Sequence, residues 1–305
     1  MSTINLARSE RRSHLSAVAD EPAKTSLGFP VKVVAIWSGN GSPGRTTVAV
    51  NLATELALMG KKVLLIDLDT LAPAIALNLG LTETPAGLSA VLRLVEQGRL
   101  SKAEFERLTV RIELGNNELI FMPGLSSPKR WPEVTANRFE ALLKQVSSYC
   151  DLVLVDLPQA TYAAEQPSHP AGSANNRDSL LEDVLTKASK LVVISGCDPV
   201  GAKRFLEAQQ LLSDLRVLSD QLVVVNRYRT AALGADARFE LSQSFETLVK
   251  LRIDSFIPED ASNLDKAMRN GLPLALLKRS SPARVAMQEL ARMILPSSAN
   301  RRRHG

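Results

Sequence analysis

The run Gly39-Asn40-Gly41-Ser42-Pro43-Gly44-Arg45-Thr46-Thr47 sets two glycines around four residues, then a cation and two hydroxyls. This is the phosphate-loop pattern of glycine, four residues, glycine, lysine and a hydroxyl residue, with Arg45 where lysine is expected. Backbone N–H groups of such a loop, with a helix N-terminus behind them, hold phosphate oxygens at little reorganisation cost. The cation at position 45 would reach the β and γ phosphates, and the Thr46 hydroxyl would ligate Mg²⁺. Arginine keeps the charge but is longer, planar and forked, and Pro43 removes one N–H from the cradle. Asp67, Asp69 and Asp156 are the other candidates. Phosphoryl transfer needs charge neutralisation and an aligned water, and acids at the C-terminal ends of parallel strands beside the loop suit both tasks. A plainer reading stands beside each: a ligand-free turn for the loop, helix N-caps for Asp67 and Asp156.

The elements around these residues give the spacing its meaning. Val33–Trp37 is a short aliphatic run broken by the glycine-rich loop, and apolar residues recur at helical spacing from Thr46 to Met59, where Gly60 stops them. Val63–Ile66 closes on Asp67, and Leu152–Val155 closes on Asp156. Further strands are expected at Leu119–Met122, Leu191–Ser195, Leu222–Asn226 and Leu251–Ile257. Helical patterns fall within 71–109 and over 135–148, 200–215, 236–248, 260–270 and 282–294. Strand and helix alternate, which predicts an α/β fold: a mostly parallel β-sheet with helices on both faces, in one domain over 31–296. Residues 1–30 lack apolar periodicity and read as a disordered leader, 159–178 as a long Pro/Gly/Ser/Asn loop, and 297–305 as a basic disordered tail.

Composition narrows the function classes. A hydrophobic content of 45% with 4% aromatics suits buried aliphatic strands. Cys150 and Cys197 form no pair motif, which argues against a disulfide scaffold or cysteine-ligated cluster and for a reducing compartment. His14, His169 and His304 suggest no triad or metal arrangement. No apolar run reaches the length of a membrane span and no secretory h-region opens the chain, so a cytoplasmic protein is expected.

The stretches Gly44–Ala53 and Gly60–Asp69, with Lys61-Lys62-Val63-Leu64-Leu65-Ile66 leading into Asp67, closely resemble the ParA/MinD family of deviant Walker P-loop ATPases. Val155-Asp156-Leu157-Pro158 resembles its second aspartate motif. Val224-Val225-Asn226-Arg227 and Ile257-Pro258-Glu259-Asp260 resemble its adenine-side elements. The Arg-bearing loop, the insert after Asp156 and the ending Arg279-Ser280-Ser281-Pro282-Ala283-Arg284 are similar to the CpaE/TadZ-like branch associated with Flp/Tad pilus assembly. The resemblance implies ATP and Mg²⁺ as cofactors, and a switch acting in partitioning, septum placement or pilus assembly. Phosphate contacts would come from Gly39, Asn40, Gly41, Ser42, Pro43, Gly44, Arg45, Thr46 and Thr47. Metal support would come from Thr46, Asp67 and Asp156, and Asp69 would orient water. Asn226 would read adenine, with the backbone near Pro258 closing the base pocket; Asn226 is equally a good turn residue.

Asn40 stands where the family carries a lysine that reaches the partner subunit's phosphates. Catalytic charge compensation then falls to Arg45, Mg²⁺ and the loop amides, which predicts weak or slow hydrolysis and a weak ATP-favoured homodimer. A non-hydrolysing scaffold that binds a protein partner through the same fold is the competing reading. Basicity is concentrated at the C-terminus: Lys278–Gly305 holds seven Lys and Arg residues against Glu289 alone. The helix at 282–294, with Val285, Leu290, Met293 and Ile294 near one face, is expected to pack on the sheet. The arginines after it would give weak contact with an anionic membrane or nucleic acid, a peripheral role at the inner face of a membrane.

Overall fold

Aliphatic strands buried on both faces need helices above and below, and the chain supplies them in alternation. The computed structural model describes residues 28–159, 177–229 and 236–296. Residues 1–27 of the expected leader, 160–176 of the expected loop and the whole expected tail lie outside these.

The first half runs β1 (Lys32–Trp37), α1 (Arg45–Leu58), β2 (Val63–Asp67), α2 (Ile75–Asn78), α3 (Gly87–Glu96), α4 (Lys102–Leu108), β3 (Val110–Leu114), β4 (Asn117–Met122), α5 (Ala136–Val146) and β5 (Leu152–Asp156). The second half runs α6 (Arg177–Lys187), β6 (Lys190–Gly196), α7 (Pro199–Asp214), β7 (Asp220–Tyr228), α8 (Ala237–Val249), β8 (Ser255–Pro258), α9 (Ala261–Asn270), α10 (Leu274–Leu277) and α11 (Pro282–Ile294). The described strands form one sheet in the order β3-β4-β2-β5-β1-β6-β7-β8, parallel except for the β3–β4 hairpin at one edge.

Side-chain alternation divides the core into two layers. Val33, Ala35 and Trp37 of β1 face the layer under α3, α5, α6 and α7, while Val34 and Ile36 face the layer under α1 and α11. Helix α1 is buried from Val48 to Ala57 because it is sandwiched between the sheet and α11. No described helix is long and apolar enough to cross a membrane.

The expected elements stand, with corrections. The helical stretch 71–109 is three short helices, with Gly80 and Gly98 at positive φ in the turns between them. The strand expected at Leu251–Ile257 narrows to Ser255–Pro258. The hairpin strand β3, whose alternation shows only against its partner β4, and helix α6 were not expected from the pattern. Helix α11 does pack inward, but its buried stripe is Ala283, Met287, Leu290, Ala291 and Ile294; Val285 and Met293 are exposed.

Candidate functional site

The loop leaves β1 and turns directly into α1. Gly41 (φ 101°) and Gly44 (φ 92°) adopt left-handed conformations that L side chains resist. Gly44 caps α1, so the helix N-terminus points into the loop. The loop is closed by β7, two strands away in the sheet: Asn226 Nδ2 donates to the Pro43 carbonyl at 2.6 Å, and a Cβ on Gly44 would lie 2.6 Å from the same nitrogen.

The aspartates gather where the strands end. Asp67 and Asp156 are register partners on β2 and β5, and both are buried. The Thr46 hydroxyl donates to Asp156 Oδ2 at 2.6 Å, while Asp156 Oδ1 is buried without any partner. Burial, then the neighbouring Asp156 carboxyl, pushes Asp67 up to about 8. Burial pushes Asp156 up to about 7, against the Thr46 hydrogen bond and the Arg45 charge that favour its ionised form. Two buried acids that resist ionising, one with an orphaned oxygen next to a hydroxyl, fit a divalent cation. Among the described residues no group of three or more His, Cys, Asp or Glu could hold an ion alone. That suits Mg²⁺, which takes one or two protein ligands and completes its shell with phosphate and water.

Asp67 also serves locally, accepting from the N–H groups of Asp69 (3.2 Å) and Ile75 (3.0 Å) and so tying the start of α2 to the strand end. Asp69 Oδ1 accepts from the N–H groups of Leu71 and Ala72, and its Oδ2 lies 3.9 Å from Arg45. Arg45 lies along the loop rather than away from it: Nη1 donates to Ser38 Oγ at 2.7 Å and to the Gly41 carbonyl at 3.4 Å. Ser38, absent from the sequence reading, thereby fixes the cation, and its aliphatic-strand context offered no signal.

A cavity of about 320 Å³ opens on the α1 side of the loop. Gly44, Thr47, Asn226 and Pro258 line it, so the structure brings the two adenine-side candidates together with the loop. Asn51, also unexpected, holds its wall: Nδ2 donates to the Thr47 carbonyl and Oδ1 accepts from Leu274 N–H, both at 2.8 Å. On the α7 side of the loop a second cavity, of about 470 Å³, is lined by Gly39, Asn40, Gly41, Ser42 and Pro43 and by residues of β6, α7 and β7. Gly39 to Gly44 and Thr47 thus line one or other opening, whereas Arg45 and Thr46 line neither and face Asp69 and Asp156. Cys197 is buried behind β6, with its thiol donating to the Arg227 carbonyl, and Cys150 is also buried.

This geometry has relatives. An uncharacterized ATP-binding protein of Methanocaldococcus jannaschii is 24% identical over 266 residues, covering 86% of this chain and 87% of that protein. A ParA family ATPase from Chlorobium tepidum shares the fold with a TM-score of 0.69 at 18% identity, covering 85% of this chain and 98% of that one. The septum site-determining protein MinD complexed with Mg-ADP from Pyrococcus horikoshii gives 0.61 at 19% identity, covering 87% and 96%. A family model described as the CobQ/CobB/MinD/ParA nucleotide binding domain matches residues 34–274, from β1 through the loop and the paired aspartates to the start of α10. The chain belongs to that MinD/ParA family of nucleotide-binding domains.

Proposed function

We propose that the chain binds ATP with Mg²⁺ in this cleft and works as a slow switch in positioning or assembling a cellular structure. The observation that carries the reading is the orphaned Asp156 Oδ1 beside the Thr46 hydroxyl, at the mouth of a loop held open by glycine and pinned by Asn226. Phosphates would lie on the loop amides, with Thr46 and Asp156 holding the ion and Asp67 supporting from behind. When bound, the ion neutralises phosphate charge. With its amide nitrogen spent on Pro43, Asn226 has its carboxamide oxygen left for a ligand. An acceptor there favours the exocyclic amine of adenine over the keto group of guanine. Asp69, already held by two backbone N–H groups, would orient a water, with Arg45 3.9 Å from its other oxygen.

Slow turnover follows from charge: Asn40 is neutral, and Arg45 is tethered to Ser38, Gly41 and Asp69. The same tether supports the second reading, a non-hydrolysing scaffold. For the cellular process we infer partitioning, septum placement or, through the Arg-bearing loop and the CpaE/TadZ-like ending, pilus assembly. Calorimetric titration with ATP, ADP and GTP, with and without Mg²⁺, tests the binding reading. Mg²⁺-dependent, adenine-selective binding is expected; no binding of any nucleotide would leave the scaffold. Steady-state phosphate release then separates switch from scaffold.

A further inference from the structure

The cavity on the α7 side of the loop is ringed by Arg204, Arg227 and Arg229, with Asp198 and Glu259 as the acids. Both acids are engaged. Asp198 caps α7 by accepting from Gly201 N–H at 2.8 Å, and Glu259 pairs with Arg229 at 2.9 Å. Arg204 and Arg227 are left without an acidic partner among the described residues. Arg204 makes only a long contact, 3.5 Å, to the Asn40 carbonyl.

Arg204 is nonetheless built into the loop. A Cβ on Gly39 would lie 2.5 Å from the Arg204 carbonyl oxygen, and a Cβ on Gly41 would lie 2.1 Å from Arg204 Nη1. The backbone of this one residue of α7 therefore holds Gly39 small, and its guanidinium lies over Gly41, whose left-handed φ itself calls for glycine. Arg227 holds a left-handed φ of 54° at an irregularity in the pairing of β7 with β8, a strained backbone for a non-glycine residue, and its guanidinium comes near Gly44. It is a second cation facing the loop, and it lines both cavities. Neutral Asn40 thus has a guanidinium beside it, delivered from another element.

We propose that Arg204, assisted by Arg227, is the residue that distinguishes a nucleoside triphosphate from a diphosphate, by placing a forked cation at the outer rim of the loop for the terminal phosphate. Guanidinium is suited to this, because it binds phosphate oxygens bidentately and keeps its charge at any working pH. The inference rests on the nucleotide reading above and adds the part of the ligand that this residue reads.

The test titrates Mg-ATPγS and Mg-ADP into the full chain, into Arg204→Gln and into Arg204→Lys, with melting temperatures alongside. The parent is expected to prefer the triphosphate. Arg204→Gln should lose about tenfold in ATPγS affinity, the size of one charge-assisted contact, with ADP affinity within about twofold and an unchanged melting temperature. Arg204→Lys should recover most of the loss, and Arg227→Gln should give a smaller loss of the same kind. An unchanged triphosphate preference in Arg204→Gln, or a parallel fall for both nucleotides, overturns the proposal and makes the residue a prop for the loop. If the parent binds neither nucleotide, the nucleotide reading fails first and this inference falls with it.

Discussion

Thr46 and Asp156 meet from positions 110 residues apart, and their hydrogen bond leaves one carboxylate oxygen with nothing to bind. Removing the hydroxyl takes away both that bond and a ligand for the ion. Thr46→Ala should therefore lower ATP affinity in Mg²⁺ by roughly tenfold or more, while Mg²⁺-free binding changes little; titration with and without EDTA checks this. The paired acids also make a pH statement. Asp67 at about 8 and Asp156 at about 7 hold protons in the folded state that an unfolded chain releases near pH 4. The folded state binds more protons across that window, so apo stability should fall as pH rises from about 4 to about 8. Melting curves from pH 5.5 to 8.5 are expected to show this, with Asp156→Asn flattening the slope and Mg-ATP opposing it. A pH-independent melting temperature for the apo protein would remove the buried pair as the cause.

At the scale of elements, α1 and α11 are joined by an ion pair inside the helix layer. Arg284 Nε donates to Glu55 Oε1 at 2.6 Å, with side-chain exposures of 14% and 2%. Arg284 counted as part of the basic C-terminus in the sequence; in the fold its charge is spent on a buried acid. Removing it strands Glu55, so Arg284→Ala should cost about 3 kcal/mol, read by chemical denaturation, whereas replacing both residues by leucine should recover much of that. The contrast shows which parts of the molecule were legible beforehand. The aliphatic runs ending on Asp67 and Asp156, and the glycine pattern from Gly39 to Gly44, carry their meaning locally, and the structure brings them together. Asn51, Arg204 and the Glu55–Arg284 pair carry none locally, because their roles depend on elements far away in sequence, and Ser38 carries none because only the folded loop turns Arg45 back onto it. Helix α11 was legible as packed, but its face was misjudged because periodicity alone gave small alanines no weight against Val285 and Met293.

For the whole molecule, the sheet order puts the phosphate loop, the paired aspartates and both cavities at one end, where β1, β5, β6 and β7 finish. In the family resemblance that end also faces a second subunit. Here its rim carries Arg204, Arg227 and Arg229 against Asp198 and Glu259, an excess of positive charge. Two such rims brought together repel, and the repulsion is relieved when an anion occupies each. Dimerisation should therefore be linked to the triphosphate: negligible for the apo chain, weak with Mg-ADP, and strongest with a non-hydrolysable ATP analogue. Because the relevant charges are exposed, added salt screens the apo repulsion and should narrow the difference between apo and ATP-bound association. Sedimentation velocity at low and moderate salt, over a concentration series with each nucleotide, measures both effects. A monomer at every concentration with the ATP analogue would turn this face from a subunit interface into a surface for some other partner. A dimer of equal strength without nucleotide would show that the rim charges do not govern association.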